Sequence, residues 1–260
     1  MAYETILYEL KDGVAMLTLN RPHKLNSFND QMGGEVNAAL RDAARDAAVR
    51  CLVLTGAGRA FSAGEDLSSH AGEAELALGA ALRGRYRPMI LALRTMEKPV
   101  IAAINGVAAG AGFATALACD LKVMAAEASF VPAFDKVALV PDSGSTFHWL
   151  RQLGLSRALE VAFFGGRISA EQALAWGFVN KVVPAAEVLT AAQQMAATLA
   201  KGPTKAFGLV KRAMNAAFAN DLAAQLDYEA YLQEIAGRSH DHHEGVAAFF
   251  EKREPKFRGE

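Results

Sequence analysis

The residues best placed to do chemistry in this chain sit in two glycine-rich loops. The first, Gly56-Ala57-Gly58-Arg59-Ala60-Phe61-Ser62-Ala63-Gly64-Glu65-Asp66-Leu67, follows an apolar run, Cys51–Thr55. The second lies within Val100–Asp120, where an apolar strand breaks at Asn105-Gly106 and restarts at Gly110-Ala111-Gly112 as a helix of small residues. A strand, a glycine loop and a helix start leave backbone N–H groups without intrahelical partners, at the positive end of the helix dipole. Glycine and alanine let a ligand approach that backbone closely. The chemistry this permits is stabilisation of a developing anion: half of an oxyanion hole, with acid–base groups supplied from later in the chain.

Other readings of the same residues are weaker. Only Asn105 and Thr115 are polar between residues 100 and 119, but alanine and glycine replace the leucine and phenylalanine that drive membrane insertion. Gly110-Ala111-Gly112 resembles the start of a dinucleotide fingerprint, yet Thr115 stands where its third glycine would be. Close packing of a buried helix is compatible with the anion-binding reading. Asp142, Ser145 and His148 form a triad on paper, without the GxSxG turn, and three triad members within seven positions rarely converge. His240-Asp241-His242-His243 invites a metal reading, but a solvated loop with Ser239 or Asp241 capping the last helix accounts for it.

The elements that must hold these loops belong to a chain of 260 residues, 52% hydrophobic and 21% charged, with a net charge of −1. That balance fits a globular protein with a sizeable core and argues against nucleic acid or a membrane surface as partner. Cys51 and Cys119 lie in apolar segments and read as buried free thiols; with no signal peptide, the expected setting is the cytoplasm. Residues 3–20 alternate about Asp12-Gly13 as a β-hairpin. A helix capped by Asn29 or Asp30 runs to about Asp46, and residues 68–84 read as a mobile connection or lid-side helix. A helix to about Met96 leads into the Val100 strand. Short strands follow at Asp120–Ala125 and Ser129–Val131, then helices through Leu150, at Leu155–Phe164 and at Ala170–Trp176, and a closing strand at Phe178–Val183. From Ala185 the chain is helical. The sum is an α/β core over residues 1–200 and a helical C-terminal region over 201–260.

Taken in order, Leu19-Asn20-Arg21-Pro22…Leu25-Asn26, Phe61-Ser62-Ala63-Gly64-Glu65-Asp66-Leu67, Ile104-Asn105-Gly106-Val107-Ala108-Ala109-Gly110-Ala111-Gly112, Gly165…Ala170…Ala173…Gly177-Phe178-Val179 and the tail Glu244-Gly245…Phe249…Lys252-Arg253 resemble the crotonase superfamily, the enoyl-CoA hydratase/isomerase family, over essentially the whole chain. Asn26-Ser27-Phe28-Asn29-Asp30, Pro141-Asp142-Ser143-Gly144 and Gly237-Arg238-Ser239 look like its branch that isomerises ring-epoxyphenylacetyl-CoA.

The resemblance implies a spiral of ββα units holding an acyl-CoA thioester, with no metal and no redox cofactor. It maps the two amides that bind the thioester oxygen to the backbone of Glu65 and Ala111. It places substrate or CoA contacts at Lys24, Ala63, Gly64, Asp66, Leu67, Gly110 and Phe134, with Asp66 also an anchor of its loop. Family hydratases carry two glutamates; the corresponding positions here are Ala114 and Phe134, and neither can titrate. Asp142 lies a few residues further on, where isomerase branches carry a carboxylate. The expected function is therefore an acyl-CoA isomerase with Asp142 moving the proton. The alternatives are a 2-enoyl-CoA hydratase of the same fold and a non-catalytic acyl-CoA binding protein.

Asp142 has a competing reading as a helix N-cap. Apolar neighbours Phe134, Leu139 and Val140 would raise its pKa and a helix N-terminus would lower it. The acyl pocket is expected from residues 68–96 and from Phe113, Phe134 and Phe147, and Arg83, Arg85 and Arg87 read as a solvated face or as contacts to CoA phosphates. Val210, Met214, Phe218, Leu222, Leu226, Tyr231, Phe249 and Phe250 give the C-terminal helices more apolar surface than one thin layer can bury, and family members are trimers or paired trimers.

Overall fold

The computed structural model describes residues 3–70 and 78–260. Strands β1 (Ile6–Lys11) and β2 (Val14–Leu19) form the expected hairpin, closed by Asp12 and Gly13 with φ of 51° and 79°. Positive φ at both central residues gives the turn a twist that matches the strands it joins. Helix α1 (Asp30–Arg45) starts at Asn29, whose side chain accepts a hydrogen bond from the Met32 N–H. Strands β3 (Cys51–Gly56) and β4 (Ala60–Ser62) flank the start of the first glycine loop. A 3₁₀ turn, Leu67–His70, precedes residues 71–77, so part of the expected lid-side segment lies outside the described residues. Helix α2 (Leu78–Ala81) runs through a π-helical turn, Leu82–Tyr86, into α3 (Arg87–Thr95).

Strand β5 (Val100–Ile104) is followed by a strand that its length of three residues had hidden, β6 (Val107–Ala109), and only then by α4 (Ala111–Ala118). Next come β7 (Leu121–Ala125), β8 (Ser129–Val131) and α5 (Ser145–Phe164), which Gly154 interrupts with a non-helical φ of 72°. Strand β9 (Ile168–Ser169) leads into α6 (Ala170–Ala175), where Ser169 and Gln172 form a reciprocal capping box. Strand β10 (Lys181–Val183) ends the sheets, and α7 (Val188–Ala200), α8 (Thr204–Ala216), α9 (Leu222–Gly237) and α10 (His240–Glu251) complete the chain.

Two sheets result. One has six strands in the order β1-β2-β3-β5-β7-β10, parallel from β2 onward. The other is small, in the order β4-β6-β8-β9, and parallel through β4, β6 and β8. Helix α4 packs against β4 closely enough that a Cβ on Gly112 would stand 2.5 Å from the Ser62 carbonyl oxygen, which explains the second glycine of Gly110-Ala111-Gly112 as a packing residue. Cys51 and Cys119 are buried free thiols, and burial raises the pKa of each to about 12. No helix among the described residues is long and apolar enough to cross a membrane.

Ser239 caps α10 by accepting from the His242 N–H, while buried Asp241 accepts from the Arg258 and Gly259 N–H groups and pins the C-terminal tail. Among the described residues, no group of three His, Cys, Asp or Glu side chains could hold a metal ion.

Candidate active site

The parallel strands β4, β6 and β8 place the loops after their C-terminal ends side by side, and those loops border one cavity of about 990 Å³. Ala63, Gly64, Glu65 and Leu67 reach it from the loop after β4, Gly110 and Ala111 from the turn after β6, and Phe134 and Asp142 from the segment after β8. Eight of the ten residues singled out in the sequence thus meet at one surface.

The two glycine loops touch. Gly64, at φ +90°, turns its missing side chain towards the second loop, where a Cβ would lie 2.8 Å from the Ala109 carbonyl oxygen and 3.4 Å from the Ala111 nitrogen. Gly110 adopts φ 48° and ψ −119° and donates its N–H to the Val131 carbonyl at 2.9 Å, tying the turn to β8. Ala111 opens α4, so its N–H has no acceptor within the helix. Glu65 forms an isolated bridge with Phe28: Phe28 N–H donates to Gly64 and Asp66 N–H donates to Phe28, at 2.7 and 2.9 Å. N–H groups alternate in direction along an extended strand, so the Glu65 N–H points away from Phe28.

Asp142 is half-buried, and its Oδ1 is buried without a hydrogen-bond partner among the described residues. The helix it precedes starts at Gly144, and Asp142 contributes to that start only through its main-chain carbonyl, which accepts from Ser145 N–H at 2.8 Å. Its carboxylate is not the cap. Burial raises its pKa above the ordinary aspartate value; the Ser143 hydroxyl opposes this and the facing Glu65 carboxylate adds to it. Desolvation is the largest of these causes. His148 is buried and held neutral, its pKa pushed by burial down to about 3, which leaves it unfit as a base for a serine triad.

Other residues expected at the site lie elsewhere. Lys24 and Asp66 do not line the cavity. The Lys24 ammonium donates to the Ser68 hydroxyl at 3.2 Å, and the Asp66 carboxylate accepts from Ser68 and from Arg21, the latter at 2.8 Å, which holds the loop and lowers the Asp66 pKa. Phe113 belongs to the core, stacked on Phe130 with centroids 4.2 Å apart, and Phe147 packs on Arg151 and Phe218 outside the cavity. From residues 68–96, Leu78, Ala80, Ala81, Leu82, Arg85 and Tyr86 do line it.

Arg85 is the largest departure. It is buried against Glu65, with Nη1 2.7 Å from each carboxylate oxygen, and bonds Asp30 through Nη2. The Tyr86 hydroxyl donates to the same Glu65 carboxylate. A charged residue between other arginines in a helical stretch reads as solvated, and its partner lies twenty positions earlier, so nothing local in the sequence marks the pair.

The model of the family described as enoyl-CoA hydratase/isomerase matches residues 9–260. The chain is 46% identical to the 1,2-epoxyphenylacetyl-CoA isomerase of Escherichia coli (strain K12), over 98% of this chain and 99% of that one. It is 45% identical, over the full length of both, to a protein of Rhodobacter capsulatus described as a probable enoyl-CoA hydratase. Among solved structures, an enoyl-CoA hydratase from Bacillus anthracis superposes with a TM-score of 0.94 at 34% identity, covering 99% of this chain and 100% of that one. With the crotonase-type arrangement of sheets and helices seen above, these matches place the chain in the enoyl-CoA hydratase/isomerase family.

Proposed function

We propose that the protein is an acyl-CoA isomerase in which the backbone N–H groups of Glu65 and Ala111 hold the thioester oxygen as an enolate and Asp142 moves a proton between carbons of the acyl chain. The observation that carries this reading is the half-buried Asp142 carboxylate, whose Oδ1 has no hydrogen-bond partner among the described residues, against a cavity that both glycine loops also border. A carboxylate with a raised pKa is a stronger base than an ordinary one, and two convergent amide donors lower the cost of the enolate it creates. Loss of one such donor costs roughly 3–4 kcal/mol of barrier. Ala63, Gly64, Leu67, Gly110 and Phe134 form the walls around the bound thioester.

The substrate class we favour is a 3-enoyl-CoA, shifted to the 2-enoyl isomer, or a ring-epoxyphenylacetyl-CoA opened towards an oxepin; the name of the E. coli relative contains an epoxyphenylacetyl-CoA. The hydratase reading, which the R. capsulatus name represents, lacks its acid–base pair: Ala114 is fully buried and Phe134 presents a ring. The reaction as proposed needs no metal or redox cofactor, and the setting we favour is the cytoplasm.

Residues 201–260 are proposed to serve assembly, as a homotrimer or a pair of trimers. Phe218, Leu222, Phe249 and Phe250 are each more than half exposed in the single chain, an arrangement that favours burial against a second copy. Light scattering at micromolar concentration should give a trimer or hexamer mass, and a monomer would contradict the assembly.

The functional reading is tested by assaying crotonyl-CoA hydration beside 3-enoyl-CoA isomerisation. Absence of a positioned acid and base costs about 10²–10⁴-fold, so hydration should trail isomerisation by at least that factor. Equal rates would overturn the assignment.

A further inference from the structure

Glu65 poses an electrostatic problem. If its backbone N–H takes the thioester oxygen, its own side chain places a carboxylate one residue's reach from a forming enolate. Two like charges at such a separation, beside an apolar cavity wall, disfavour each other strongly.

The cavity already contains an answer. Arg85 lays its guanidinium against both oxygens of Glu65 at 2.7 Å each, with its side chain only 6% exposed. Its second nitrogen reaches Asp30 at the start of α1, so one fork ties the glycine loop to two helical elements. The π-helical turn Leu82–Tyr86 sets Arg85 and Tyr86 next to one another, and both reach Glu65. Tyr86 also meets the ring of Phe28 edge-on, with centroids 5.8 Å apart, and Phe28 is the bridge partner of Glu65.

The seat for Arg85 is shaped for it. A Cβ on Gly33 would fall 2.3 Å from Arg85 Cγ, and the Asn37 side chain donates to the Arg85 carbonyl at 3.0 Å. Nη1 meets both Glu65 oxygens while Nη2 takes Asp30, so one rigid, planar guanidinium is divided between two carboxylates, a geometry that a lysine ammonium does not reproduce.

We propose that Arg85 is a positioning residue of the oxyanion hole: it neutralises and pins the Glu65 carboxylate, so that the same residue can offer its backbone N–H to an enolate. This rests on the reading of Glu65 as an oxyanion donor. Arg85 touches neither the thioester nor the migrating proton. It acts through Glu65.

The test uses full-length protein and cinnamoyl-CoA, a thioester whose absorbance moves to the red when its carbonyl is polarised. Wild-type protein should bind it with a red shift. Arg85→Gln should still bind but with a smaller shift, and kcat for 3-enoyl-CoA isomerisation should fall about 10-fold or more with KM changed less, the pattern of an interaction expressed in the transition state. Removing the charge that Arg85 neutralises, in Glu65→Gln/Arg85→Gln, should recover much of both losses relative to Arg85→Gln. If the glutamine variant does not fold, Arg85→Lys carries the comparison, and its shift should also fall short of wild type. A shift undiminished in the folded Arg85 variant, or a double variant no better than Arg85→Gln, overturns the Arg85 assignment alone. Bound cinnamoyl-CoA with no red shift in wild-type protein overturns the oxyanion-hole reading, and this proposal with it.

Discussion

Asn26 and Asn105 meet at one carbonyl oxygen. Their side-chain amides both donate to Ala60, at 2.8 and 3.3 Å, although they lie 79 positions apart in the chain. Asn26 also donates to Ala57 and accepts from Arg21 N–H, and Asn105 donates to Gly56 and Gly58. The first glycine loop is thus sewn at its base by two asparagines, one from each side. This gives Leu25-Asn26 and Ile104-Asn105-Gly106 a physical role beside the loop: their asparagines hold its carbonyls.

Asn26→Ala should therefore destabilise the fold as well as the loop. Asn26 is fully buried and sits at φ 56°, a backbone conformation that asparagine tolerates better than alanine. Stranding buried partners costs about 1–3 kcal/mol for each polar group left unmade, so a loss of about 2–4 kcal/mol is expected by chemical denaturation. A variant as stable as wild type would show that the loop is held by other contacts.

Gly64→Ala probes the contact between the two loops. Its Cβ would enter at 2.8 Å from the Ala109 carbonyl in a backbone conformation unfavourable to alanine. Pushing the loops apart should act like removal of an oxyanion donor, with kcat reduced by about 10²–10³-fold. Wild-type turnover in a folded Gly64→Ala protein would separate the loop contact from catalysis.

Much of this architecture is legible in the sequence because it is written in local periods and caps. The alternation about Asp12-Gly13, the Asn29 cap and the strand–glycine–helix order at Val100–Ala118 each declare an element. Strands β6 and β9, three and two residues long, are too short to show any period. The 3₁₀ and π turns leave no apolar pattern either. At the site, loop residues carry their own signature in glycines, but side-chain roles do not. That Asp142 is no cap depends on Gly144 taking the cap position, and the pairing of Glu65 with Arg85 depends on elements brought together only by the sheet. Phe113 and Phe147 were expected at the pocket because an aromatic side chain in sequence does not reveal which wall it faces.

The raised pKa of Asp142 has consequences of definite sign. A base must be deprotonated, so kcat/KM should fall as pH drops through a value above the ordinary aspartate pKa of about 4. Folding favours the protonated form of this group, so its contribution to stability is largest at acid pH and is lost as pH rises from the unfolded to the folded pKa. Asp142→Asn should accordingly be at least as stable as wild type near neutrality, with the difference closing at acid pH. Thermal melts across pH 4–8 check this, and a variant markedly less stable at pH 7 would mean that the ionised carboxylate is held by favourable partners.

The most direct measurement is kcat and acyl-CoA affinity for Asp142→Asn. The change keeps shape and removes the proton acceptor, while the donors at Glu65 and Ala111 are main-chain groups that survive it. We expect kcat for 3-enoyl-CoA isomerisation to fall at least about 10²-fold with ligand affinity little altered, as for a missing acid–base group. Near-wild-type turnover would contradict the account and remove Asp142 from the mechanism.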